Sequence, residues 1–190
     1  MSAMSNAEAD VSQAWQKAIA HVLASEGGLV DHAADPGGIT NFGISLRFLK
    51  DAGIDIDHDG DIDADDIRKL TIDSARTVYY DRFWLPNGYG QYPEQVAIKL
   101  FDMAVNMGPS QAHKLLQKAL WGHGHRLDID GKLGPATIQA VQAACFQSAS
   151  GAELMPSIRL AQHCFYDGLV AAKPALAVFQ KGWINRAYSC

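Results

Sequence analysis

Glu26, Asp35 and Thr40 stand close together in the stretch SEGGLVDHAADPGGITNFGIS, from Ser25 to Ser45. Two carboxyl groups and a hydroxyl so grouped suit hydrolysis of a glycosidic bond. One carboxylic acid protonates the leaving oxygen while a second carboxylate works at the sugar's anomeric centre. Positioning them falls first to a helix. Upstream, Val11, Trp15, Ala18, Ile19, Val22 and Leu23 recur on one helical face, and the same spacing continued lands on Glu26. Gly27 and Gly28 are expected to stop that helix through a left-handed cap, leaving Glu26 on the apolar face at the negative end of the helix dipole. Both features favour a protonated carboxyl, which a general acid requires.

Beyond the glycines, Leu29 to Ala33 and Ile39 to Ile44 read as two short strands around the turn Asp35-Pro36-Gly37-Gly38. Such a hairpin folds back over the helix end and carries Asp35 and Thr40 towards Glu26. Asp35 also suits the first position of the turn, and Thr40 an ordinary strand position. Asp31 and His32 are neighbouring alternatives for the second catalytic role.

The run EGGLVDHAADPGGITNFGIS closely resembles the opening signature of glycoside hydrolase family 108, N-acetylmuramidases that cleave peptidoglycan. The order Glu26, Asp35, Thr40 is also similar to the Glu-Asp-Thr set of phage-type lysozymes, with an Asp-to-Thr gap one residue shorter than in the phage T4 type. The resemblance implies a lysozyme-like fold and a substrate-binding role for Asn41 beside the catalytic set.

A second motif lies downstream. From Asp55 to Asp66 the chain reads DIDHDGDIDADD, the pattern of a helix-loop-helix calcium loop. Asp55, Asp57 and Asp59 fill positions one, three and five, and Gly60 the sixth, where the loop turns sharply. Asp61 offers its carbonyl at the seventh, Ile62 is the apolar eighth, Asp63 the ninth and Asp66 the twelfth. Oxygen ligands at alternate positions wrap a single Ca²⁺, which offsets charges that otherwise repel one another. The departure is Asp66 where a bidentate Glu is usual; loops of the dockerin type also use Asp there, so a structural site is expected rather than a switch. The alternative is a solvated acidic loop without metal.

Between and beyond these motifs, Leu46 to Ala52 reads as a short helix ended by Gly53, and Thr71 as the cap of a helix in which Ala75, Val78, Tyr79 and Phe83 share a face. The cluster YYDRFW resembles the aromatic segment after the catalytic hairpin in the same family, which makes Tyr80 and Trp84 candidates to stack on sugar faces, or else core residues. Two prolines and two glycines in LPNGYGQYP mark a lobe boundary. Then comes a strongly apolar helix ending FDMAVNMG. There Asn106 and Gly108 match an Asn-x-Gly element of the resembled family, implying either a contact to the substrate's N-acetyl group or helix capping. DIDGKLGPAT, Asp128 to Thr137, resembles the Asp-Gly-x-x-Gly-Pro-x-Thr motif of peptidoglycan-binding modules, and FQKGWINRAY near the end resembles the family's C-terminal half. His123 and His125 lack further ligands at zinc-like spacing.

Composition bounds the rest. The chain has 190 residues, 48% hydrophobic and 19% charged, ordinary for a folded protein with a real core. No apolar run approaches the roughly 20 residues that span a bilayer. Net charge is −5, but seven of the 21 acidic residues lie in Asp55 to Asp66; without them 14 acids face 16 bases, a balance that does not repel an anionic wall and marks no nucleic-acid partner. The opening MSAMSNAEAD is polar and acidic and carries no conventional secretory signal, so the protein is expected to reach the periplasm or an extracellular wall from the cytoplasm by a non-classical route. Cys145, Cys164 and Cys190 read as reduced thiols, with a Cys145–Cys164 bridge as the alternative after export.

The sequence therefore implies a mainly α, lysozyme-like fold with a small hairpin and an EF-hand-like calcium loop. It divides into a flexible stretch 1–12, a catalytic lobe 13–92 and a helical peptidoglycan-binding-type lobe 93–190. The expected activity is that of a monomeric muramidase acting on peptidoglycan strands, with a non-catalytic wall-binding or secretion-assisting protein as the alternative. Phage lysis and interbacterial attack both fit, and no immunity partner is readable. Whether the anomeric centre inverts depends on a carboxylate separation of about 6.5–9.5 Å rather than about 5–5.5 Å.

Overall fold

The computed structural model describes residues 6–30, 38–147 and 150–190, with side chains from residue 13 onward. The chain is mainly helical and divides into two units, one of Ile19–Arg82 and one of Phe83–Cys190 together with the residues up to Ala18. Helix α1 spans Asn6–Ser25, so it begins inside the stretch that composition reads as flexible.

In the unit 19–82, the end of α1 buries Ile19 and Val22 completely. Thr40–Asn41 (β1) and Ile44–Ser45 (β2) pair antiparallel, Thr40 opposite Ser45 and Asn41 opposite Ile44. Ser45 caps α2 (Leu46–Ala52), its hydroxyl accepting from the Phe48 amide at 3.2 Å. Gly53, at φ 64°, ends that helix in a left-handed cap. Then come α3 (Ala64–Lys69) and α4 (Ile72–Tyr79), the latter opened by a capping box between Thr71 and Ser74. Ile39, Ile44, Leu49, Ile67, Leu70, Ala75, Val78 and Tyr79 complete this core.

After α4 the chain runs through a π-helical turn, Tyr80–Trp84. A π turn inserts one residue relative to an α turn and rotates the side chains beyond it. Trp84 is consequently the buried ring, at 2% exposure, and the expected helical partner Phe83 is only half-buried.

In the other unit, Trp84 packs against Trp15, Tyr89 and Phe101 with centroids 5.4, 6.0 and 5.7 Å apart. Helix α5 (Glu94–Met107) is buried on nearly every side, as its apolar sequence predicts. Its polar residues are paired: Lys99 donates to the Ala187 and Arg186 carbonyls at 2.8 and 3.2 Å, and Asp102 takes Arg186 at 3.0 Å. Helix α6 (Pro109–Gly122) packs on α5, α7 (Pro135–Ala144) and α8 (Met155–Ala172) pack on α6, and α9 (Ala177–Tyr188) packs on α8. All three cysteines are free thiols. Among the described residues no helix is long and apolar enough to cross a membrane.

Candidate active site and acidic loop

Glu26 is half-buried and sits just past the last residue of α1, its amide still donating to the Val22 carbonyl at 2.9 Å. The helix does not end as expected. Neither Gly27 nor Gly28 takes a positive φ, and both are exposed. The chain leaves the helix through bends at Glu26 and Gly28, and Val30 then exchanges two backbone hydrogen bonds with Thr40, at 2.8 and 2.9 Å.

The expected single strand Ile39 to Ile44 is instead broken by a turn. Phe42 and Gly43 lie at φ 50° and 78°, the signature of a two-residue type I′ hairpin between β1 and β2. Glycine suits the second position for its backbone and is demanded there by space. A Cβ on Gly43 would stand 2.8 Å from both Cγ and Oε2 of Glu26 and 2.7 Å from the Tyr79 hydroxyl. The Glu26 carboxyl therefore rests directly on the backbone of the hairpin tip.

Two side chains hold that tip. Tyr79, buried on α4, donates from its hydroxyl to the Phe42 carbonyl at 2.9 Å. Asn41, 7% exposed, donates from its amide to the Ile67 and Leu70 carbonyls at 3.2 and 3.4 Å, fastening β1 to the C-terminal end of α3. Phe42 at positive φ is uncommon for a bulky residue. Strain of this kind persists only where its surroundings enforce it, and here it lies beside the carboxyl that the sequence singles out.

The remaining candidates fall differently. Asp35, with the alternatives Asp31 and His32, lies outside the described residues. Thr40 is half-buried in β1 and its hydroxyl donates to the Gly38 carbonyl at 3.3 Å. Tyr80 is half-buried in the π turn. Trp84 takes the core alternative, since a ring covered by three other aromatics has no face left for a sugar. Asn106 is exposed on α5, its amide oxygen accepting from the Tyr166 hydroxyl at 2.8 Å. Sequence reasoning does not single out Gly43 or give Tyr79 more than a core position. The available signal is Asn-Phe-Gly-Ile, in which a glycine interrupts an apolar alternation.

In the acidic loop, Asp55 accepts from the His58 and Gly60 amides at 2.6 and 3.1 Å. Asp57 and Asp59 each accept from the amide two residues on. Asp66, 1% exposed, accepts from Ile56 and Asp63 at 2.6 and 2.7 Å and forms a capping box with Asp63 at the start of α3. The carboxylates gather in two groups, Asp55 with Asp57 and Asp59, and Asp61 with Asp63 and Asp66, oxygens within 4.8 Å in each. The Lys69 ammonium pairs with Asp57 and holds its carboxyl below the usual range, while the charges of Asp59 and Asp63 push Asp61 up.

The DIDGKLGPAT segment folds around Gln117 of α6. Its amide donates to Asp130 at 2.8 Å and the Lys132 carbonyl at 3.1 Å, and accepts from the Gly131 amide at 2.9 Å. His113 steadies the same loop, one ring nitrogen on the Gly131 carbonyl and the other on the Tyr89 hydroxyl, both at 2.9 Å.

Residues 19–108 match the family model described as glycosyl hydrolase 108, and residues 111–188 match one described as a predicted peptidoglycan domain. Among solved structures the chain is similar to SagA of Brucella abortus, at 29% identity, over 93% of this chain and 90% of that one, with a TM-score of 0.72. No curated protein sequence matches it.

Proposed function

We propose that this chain, whose residues 19–108 belong to glycosyl hydrolase family 108 and whose residues 111–188 carry a predicted peptidoglycan domain, is a lysozyme-type muramidase. Its bond is the β-1,4 link between N-acetylmuramic acid and N-acetylglucosamine. The observation that carries the reading is the seating of Glu26, whose carboxyl rests on the Gly43 backbone beside the Tyr79 hydroxyl. A proton donor held in one place gains from orientation as well as from acidity.

In this reaction Glu26 enters protonated and gives its proton to the glycosidic oxygen as the bond to the anomeric carbon breaks. Positive charge builds on the muramic acid ring, which a second carboxylate must offset or an activated water must quench. Asp35 is the residue we assign to that task, with Thr40 orienting the water. Tyr79 acts through the hairpin tip and is a positioning residue. We also assign calcium to Asp55, Asp57, Asp59, Asp61 and Asp66 as a structural ion that takes no part in bond cleavage.

Digestion of purified peptidoglycan by the wild type and Glu26→Gln, with calcium present, tests this. Released fragments are reduced with borohydride and read by mass spectrometry. Fragments ending in reduced muramic acid from the wild type alone support the assignment. Wall binding without any released fragment from either folded protein would leave a non-catalytic wall-binding protein.

A further inference from the structure

A cavity of about 610 Å³ opens in the unit 83–190, between the end of α6, the loop after it and the start of α7. Sites for small ligands and short oligomers have this size. Its lining includes Gln117, Trp121, Arg126, Asp128, Lys132 and Pro135. Glu26 belongs to the other unit, and the proposed mechanism uses none of these residues.

The walls are of two kinds. Gln117, 1% exposed, commits its amide to Asp130, Gly131 and Lys132, so it builds the cavity and has little left for a ligand. The Asp-Gly-x-x-Gly-Pro-x-Thr residues do the same: Asp130 accepts from the Lys132 amide at 2.8 Å, Gly131 supplies φ 76°, and Pro135 opens α7. The motif is architecture. What it presents is Trp121, which keeps 42% of its surface exposed although it is large and apolar. Its indole is not free to move. The ring nitrogen donates to the Leu127 carbonyl at 2.7 Å, and the Arg126 guanidinium sits 5.1 Å from the ring centroid.

The guanidinium stacks over one face of the indole, and the part of the ring that stays exposed is a fixed platform for the apolar face of a sugar. The same guanidinium suits a carboxylate, which arginine takes in a two-pronged bond. Asp128 and Asp130 on the same rim balance Arg126 and Lys132 and disfavour a polyphosphate backbone. A ligand that alternates sugar rings with carboxylate-bearing branches meets all these features. We propose that this cavity holds the peptidoglycan strand, one N-acetylated sugar on Trp121 and a stem-peptide carboxylate on Arg126, as a wall-anchoring subsite. The assignment rests on the peptidoglycan reading above and adds where and how the second domain grips the wall.

The test uses the full chain carrying Glu26→Gln, sedimented with purified peptidoglycan sacculi over a range of wall concentrations. Trp121→Leu and Arg126→Gln are added singly, and each variant's fold is checked by circular dichroism and thermal melting. Each should weaken wall binding about tenfold or more, as loss of a central contact does. Affinity within twofold of the parent in the folded variants overturns the proposal, and so does a parent that does not sediment with the wall. If Trp121→Leu fails to fold, Arg126→Gln decides by itself, because it leaves the indole and its anchor in place. Wall binding that depends on Trp121 without any hydrolysis by the wild type would sink the muramidase assignment and leave this one standing. Hydrolysis with Trp121-independent binding would do the reverse.

Discussion

The Tyr79 hydroxyl donates to the Phe42 carbonyl at 2.9 Å and crowds the same point above Gly43 as the Glu26 carboxyl. One phenol thus supports both the strained hairpin tip and the acid that lies on it. Tyr79→Phe keeps the buried ring and removes only the donor. Stability should fall by about 0.5–1.5 kcal/mol, the usual net contribution of one hydrogen bond, because the Phe42 carbonyl is only half-buried and water can reach it. A positioning role predicts more: kcat should drop severalfold with KM little changed, because the acid's placement matters most in the transition state. Unchanged kcat alongside a lowered melting temperature would reduce Tyr79 to a structural residue.

Gly43 and Gly53 form a matched pair, both at positive φ, but only Gly43 has neighbours where a Cβ would stand. Alanine at Gly53 meets open space and costs only the left-handed conformation, about 1–2 kcal/mol. Alanine at Gly43 adds collisions with Glu26 and Tyr79 within 2.8 Å, so it should be the less stable variant and lose most of its activity. Peptidoglycan turnover by the two variants, compared at a temperature where both are folded, checks this. Equal activity would mean that Glu26 tolerates displacement.

Much of this site is legible in the sequence, for identifiable reasons. The periodicity running through Ile19 and Val22 points to Glu26, and the two glycines mark the end of α1 even though neither adopts the expected cap. Gly53 and Thr71 announce the helix ends they make, since caps are local chemistry. Tyr79 reads only as a core residue, because its bond spans 37 positions and no local rule reports it. The Phe42-Gly43 turn is hidden inside an alternating apolar run that also fits one strand. Trp84 stays open between sugar platform and core in the sequence, because an α-helical count does not anticipate the π turn that rotates it inward.

Calcium should stabilise the protein through the acidic loop. Binding to the folded chain at free calcium about 100 times the dissociation constant contributes about 2.7 kcal/mol, a rise on the order of 5 °C or more for a chain of this size. Asp55→Asn should shrink that rise. Lys69→Ala should enlarge it, because the ammonium that pairs with Asp57 competes with the ion for the same oxygen. Thermal melts in chelator and in millimolar calcium measure all three; superimposable wild-type curves would remove the ion from the account.

His113 should make the protein less stable in mild acid. The Gly131 carbonyl can only accept, so Nδ1 carries the proton and Nε2 accepts from Tyr89, whose burial pushes its phenol well above the ordinary range and keeps it protonated. Burial also pushes the His113 pKa below its ordinary value. The unfolded chain therefore binds a proton near pH 6.5 that the folded chain refuses, and the contribution of neutral His113 is fully present above about pH 6.5. It declines as pH falls from there towards the depressed folded value, so the melting temperature should drop between pH 7.5 and 5. His113→Asn keeps a donor for Gly131 and removes the titration, and its melting temperature should vary less over the same interval. Parallel pH dependences in the two proteins would show that other groups set the acid limit.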